Sequence, residues 1–218
     1  MKLNKKKIVT LALAVCLIAI LSVGTLAWFT DSDSVTNKFH VATSTEDPDD
    51  IFSVDIKENV DTDGDGQPDT VVDEGDVADG GYDYQDIYPS AELVKEPIVE
   101  NTGSYDQYIR VLVTVDEEWD ALVGDLTGTY KGYDSTVWTA AGKTTADGKV
   151  TYTYYLNSIL KPDATQTLFT HVVIPAQLDQ DDFATLENGM FTMDIVAEAV
   201  QADNTGDSAQ EAFALVMP

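Results

Sequence analysis

"YIRVLVTV", residues 108–115, decides the fold class. Ile109, Val111, Val113 and Val115 fall on one side of an extended chain, and Tyr108, Arg110 and Thr114 on the other. A period of two with β-branched residues on the apolar side is the pattern of a half-buried strand; a helix would repeat its apolar positions every three to four residues. The same period recurs on both sides of this stretch. "KVTYTYYL" (149–156) sets Val150, Tyr152, Tyr154 and Leu156 on one face, and "MFTMDIVAEAV" (190–200) sets Phe191, Met193, Ile195, Ala197 and Ala199 against Thr192, Asp194 and Glu198. "TQTLFTHVVIP" (165–175), "VTNKFHVA" (35–42), "IFSVDIKE" (51–58) and "ELVKEPIVEN" (92–101) bring the strand candidates to at least seven. Turn residues at Asn101-Thr-Gly, Asp147-Gly and Lys161-Pro-Asp separate several of them. The expectation is an all-β protein, an antiparallel β-sandwich.

Helical pattern is confined to short stretches. "DQDDFATLENG" (179–189) has acids at its start and Asn188-Gly189 at its stop; "GDSAQEAFALV" (206–216) has Asp207 or Ser208 as N-cap ahead of Ala209, Ala212 and Phe213. Each is expected to cover an end or an edge of the sandwich. No internal repeat is evident.

The N-terminus predicts export. Lys2, Lys5, Lys6 and Lys7 precede an apolar run, Ile8 to Leu21, followed by the small residues Ser22, Gly24 and Ala27. That is the layout of a signal peptide over residues 1–27, cut between Ala27 and Trp28. The alternative is an uncleaved anchor, since Ile8 to Phe29 is long enough to span a bilayer; the membrane would be touched only through that segment. Cys16 follows Val15 where a lipoprotein box has Gly or Ala, so no lipid anchor is expected.

The whole chain carries 12 Lys+Arg and 39 Asp+Glu, a formal charge of −27. Removing residues 1–27 takes away four lysines and no acid, leaving 8 against 39, or −31. Such a surface repels nucleic acid and anionic lipid and favours cations and basic partners. The remaining residues 28–218 contain no cysteine, so packing, a metal or assembly must stabilise them. They are long enough for a single β-sandwich domain, interrupted by an acidic insertion at about 58–86.

That insertion holds "DTDGDGQPD", residues 61–69. Asp61, Asp63 and Asp65 stand at positions 1, 3 and 5 of a calcium loop, Gly66 at the sharp turn, Gln67 where a backbone carbonyl is used and Asp69 at position 9. Hard oxygen donors converging on one point suit Ca²⁺. Position 12 is Val72, and the nearest acid, Asp73, comes one residue late. No helix pattern flanks the loop, so a calcium loop without an EF-hand is expected, binding in the weak range of about 10⁻⁴ to 10⁻³ M. The plain alternative is a solvated acidic turn.

Catalytic signatures are sparse. The two histidines, His40 and His171, lie in no His-Glu-x-x-His, and His171, alternating with Phe169 and Val173, reads as a packed strand residue. Neither Gly-x-Ser-x-Gly nor a phosphate-cradling glycine loop occurs. No catalytic residue is assigned.

"GTLAWFTDSDSVTNKFHVA" (24–42) resembles the N-termini of exported proteins processed by the SipW-type signal peptidase. "IYPSAELVKEPIVENTGSYDQYIRVLVTV", "LKPDATQTLFTHVVIPAQLD", "DIVAEAVQAD" and "DSAQEAFA" resemble further landmarks of the TasA/camelysin family. The resemblance implies a jelly-roll-like sandwich with helical decorations, secreted by a Gram-positive bacterium and polymerising into extracellular biofilm matrix fibres. A homo-oligomer, the signal peptidase and an accessory matrix protein are the partners it implies. It also implies donor-strand exchange: cleavage would free Trp28, Phe29 and the strand-like run Val35 to Val41, with Val35, Phe39 and Val41 on it, to complete the sheet of a neighbour. Camelysin is classed as a metallopeptidase, so a zinc-dependent cell-surface peptidase is the alternative, although no zinc motif matches here; a surface adhesin of the same fold is another.

Overall fold

The computed structural model describes residues 30–35, 52–72, 82–85 and 87–216, the first of these as backbone. The expected signal segment, its cleavage site and residues 36–51 lie outside the described residues. Among those described, no helix is long and apolar enough to cross a membrane.

Eleven strands are present among the described residues. The first five are β1 (Thr30–Val35), β2 (Asp55–Val60), β3 (Thr70–Val72), β4 (Glu92–Glu100) and β5 (Gln107–Asp116). After them come β6 (Tyr130–Lys131), β7 (Trp138–Ala146), β8 (Lys149–Leu156), β9 (Thr165–Thr167), β10 (His171–Val173) and β11 (Met193–Gln201). One sheet has the order β1-β11-β5-β8-β7; the other runs β3-β2-β4-β10-β6, with β9 also on β4. Every pairing is antiparallel. The described residues are mostly β, with two antiparallel sheets enclosing one core, consistent with the expected all-β sandwich.

The core is built from the alternation read in the sequence. Ile109, Val111, Val113 and Val115 of β5, the even-numbered residues of β8 from Val150 to Leu156, and Ile195, Ala197 and Ala199 of β11 are all buried. The second sheet supplies Ile56, Val99 and Val172. Burial of this many branched side chains on matched faces contributes about 1.5–3 kcal/mol apiece and sets the register of each strand.

Several elements differ from expectation, each for a physical reason. The run at 165–175 is two three-residue strands rather than one. Pro97 in the facing β4 has no amide hydrogen, its carbonyl accepts from Leu168 N at 3.0 Å, and the chain leaves the ladder from Leu168 to Thr170. The break resets the phase, so Phe169 is fully buried while His171 and Val173 are half-buried. His171 is therefore not packed on the same side as Phe169; its Nδ1 lies 2.9 Å from Thr170 Oγ1. The acidic insertion begins later than residue 58: Glu58, Asn59 and Val60 belong to β2 and pair with Val72, Val71 and Thr70 of β3, leaving 61–69 as a hairpin loop.

The α-helices among the described residues are α1 (Glu117–Val123), α2 (Gln180–Phe183) and α3 (Ala209–Val216). α1, absent from the sequence reading, plugs Trp119 into the core, where its ring stacks on Phe191 at 3.9 Å. α2 is a single turn held by a capping box between Asp179 and Asp182, and Asn188, at φ 56°, is the non-helical middle residue of the 3-10 turn Glu187–Gly189 that follows. α3 covers neither an end nor an edge. It lies on the outer face of the five-stranded sheet, where Ala209, Ala212 and Phe213 bury Tyr108 and Val200 in a second small core.

Candidate functional site

The loop 61–69 is organised around one carboxylate. β2 and β3 bring its ends together, and Asp69 N donates to Val60 O at 2.9 Å. Asp61 accepts from Gly64 N and Gly66 N, each at 2.7 Å, and from Asp63 N at 3.2 Å. Gly64 and Gly66 have φ of 79° and 84°, a backbone that glycine adopts without a Cβ clash and that lets both amides face Asp61. Asp63 accepts from Asp65 N at 3.1 Å, and Asp65 from Gln67 N at 2.8 Å. These amide contacts, that of Gly66 foremost, hold the Asp61 carboxyl below its ordinary pKa.

Asp61, Asp63 and Asp65 each place a carboxylate oxygen within 4.8 Å of the others, the one group of three or more potential ligands of this kind among the described residues. Asp69 is not part of that group. Its carboxylate turns to Thr62, accepting from the backbone N at 3.0 Å and from Oγ1 at 2.8 Å, and this hydroxyl foremost lowers its pKa as well. Thr62 was not singled out in the sequence; its position opposite Asp69 becomes visible only when the hairpin closes. Gln67 spends its side-chain amide on Gly66 O at 3.0 Å. Asp73 lies outside the described residues. Three carboxylates this close on an exposed loop repel one another, an arrangement that a hard divalent cation would relieve.

A strand, β1, spans Thr30–Val35, ahead of the expected run Val35 to Val41 and sharing Val35 with it; the rest of that run, with Phe39 and Val41, lies outside the described residues, as do Ala27, Trp28 and Phe29. β1 sits at the edge of its sheet and pairs with β11 from Thr30↔Val200 to Val35↔Ile195. Its sequence, TDSDSV, has one apolar residue, so the backbone ladder and not apolar burial is what its composition offers. His171, at 131 residue numbers from His40, belongs to no three-ligand cluster among the described residues.

Comparison of the chain with family models, curated proteins and solved structures finds no match.

Proposed function

We propose that this protein is a secreted structural subunit that polymerises into extracellular fibres of a biofilm matrix by N-terminal strand donation. The observation that carries the reading is the position of β1: an edge strand near the N-terminus, backbone-paired with β11 alone among the described strands. A neighbour's β11 offers the same hydrogen-bonding groups in the same register. Exchange between subunits therefore conserves the ladder while linking the chains, and a heterologous link of this kind repeats into a fibre. The segment donated is Trp28 to Val41, with Thr30–Val35 taking the neighbouring edge. Cleavage after Ala27 by a SipW-type peptidase releases it, and the sandwich is jelly-roll-like, as the resemblance to the TasA/camelysin family implies. The loop at Asp61, Asp63 and Asp65 takes up calcium in the extracellular medium.

Electron microscopy tests strand donation directly. Protein beginning at Trp28 is expected to form fibres, and protein beginning at Ala42, which lacks β1, is expected to form none. Identical fibres from a truncated protein that circular dichroism shows to be folded discard the reading.

A further inference from the structure

We propose that two copies of this chain join antiparallel through the free edge of β7, continuing the five-stranded sheet across a two-fold axis. β7 is the edge opposite β1 and, among the described residues, pairs only with β8. Its residues from Thr139 to Ala146 are all exposed, and they are small or neutral apart from Lys143. Long exposed edges of this kind template the addition of another strand unless charge, proline or a bulge prevents it.

The direction of the free groups follows from the turn. Asp147 and Gly148, at φ 52° and 75°, form a two-residue hairpin, so Ala146 and Lys149 exchange hydrogen bonds across it. Alternation then turns the N–H and C=O of Thr145 and Lys143 away from β8, toward the open side. A register shift between Ala140 and Gly142 limits the straight edge to Gly142–Ala146. A two-fold axis at Thr144 pairs Lys143 of each copy with Thr145 of the other.

Charge identifies the occupant as a second copy. At −27 the chain repels itself, and other edges among the described strands are acidic or short: β1 carries Asp31 and Asp33, β3 has three residues beside the acidic loop, and β6 has two. Residues 138–156, by contrast, hold two lysines and one aspartate. Lys143 is neutralised from the side of α1, donating to the Asp120 oxygens at 2.9 and 2.7 Å and to the Tyr152 hydroxyl at 3.1 Å. Two copies approaching through β7 thus bring together the least repulsive part of the described sheet edges. So short a seam belongs to the weak, transient class of interfaces.

Amide exchange followed by NMR on the full chain in detergent micelles tests this across a concentration series. The Lys143 and Thr145 amides are expected to slow as concentration rises, by about tenfold once nine-tenths of the chain is paired, because exchange then proceeds from the unpaired tenth. Thr145→Pro removes one outward donor without touching the β8 ladder. It should abolish the slowing at Lys143 and leave the β8 amides unchanged. Rates independent of concentration, whether fast at an open edge or slow under a segment of the same chain, overturn the proposal. So does slowing that survives Thr145→Pro. Strand donation keeps the β1–β11 ladder whichever copy supplies β1 and is released only by cleavage after Ala27, so in the uncleaved chain it brings no concentration-dependent slowing at Lys143 or Thr145, which separates the two associations.

Discussion

Glu58 stands where the sequence passes from the strand candidate at 51–58 into the acidic insertion, and it is 1% exposed. It shares a face of β2 with Ile56, and Lys95 of β4 reaches both of its oxygens, at 2.5 and 2.7 Å. Tyr84 lies nearby, its hydroxyl donating to Val94 O at 2.6 Å; burial first, then the charge of Glu58, raises its pKa far above the ordinary phenol range. An ion pair this enclosed has given up most of its hydration, so each partner depends on the other. Lys95→Met leaves a buried carboxylate without a counter-charge and is expected to cost about 3–5 kcal/mol in urea unfolding. Replacing both partners with apolar residues should recover much of that loss, since a matched apolar pair carries no desolvation cost. A single-variant loss below about 1 kcal/mol would mean that the pair behaves as a surface contact.

At the scale of elements, α3 provides the clearest energetic test. Phe213 is 1% exposed, packs against Tyr155 and holds the Arg110 guanidinium 4.5 Å above its ring, while Arg110 also pairs with Glu198 of β11. Phe213→Ala should cost about 3–5 kcal/mol, read as a lowered urea midpoint at unchanged slope. Which elements were legible follows from the same geometry. β5, β8 and β11 bury one face and meet solvent, a partner side chain or α3 on the other, so their period of two survives in the sequence. β7 hides because its bulge at Ala141 shifts the phase: Trp138 and Ala140 face Leu156 and Tyr154, then Lys143 and Thr145 face Tyr152 and Val150, in a strand with almost no apolar contrast. α1 is only seven residues long and opens on two glutamates, too short to show a helical period around Trp119. In the candidate loop, Asp61, Asp63 and Asp65 were legible because their spacing is local. Thr62 opposite Asp69 was not, because that contact depends on how tightly β2 and β3 close the hairpin.

For the whole molecule the governing quantity is charge. With −31 on residues 28–218, association at neutral pH works against long-range repulsion, and protonation or bound cations should relieve it. The two routes draw on different carboxylates. Asp61 and Asp69, held below the ordinary aspartate value by their hydrogen bonds, contribute stability that is complete above that value and is lost only as pH falls through their lowered pKa values. Asp194 is the reverse case: burial raises its pKa, so its ionised form costs stability at neutral pH and the cost is relieved as pH falls through the raised value. Mild acid therefore neutralises groups such as Asp194 and the ordinary surface carboxylates, while Asp61 and Asp69 stay charged and keep their hydrogen bonds within the loop. Calcium at neutral pH would act through the loop instead. Light scattering of protein beginning at Trp28 is expected to show faster assembly both at about pH 4.5, where ordinary carboxylates begin to take up protons, and in calcium at neutral pH. Asp63→Ala and Asp65→Ala should remove the calcium response, with loss of heat in a calorimetric calcium titration, and leave the acid response in place. Scattering that stays flat down to about pH 4.5 would show that repulsion between subunits does not limit their assembly.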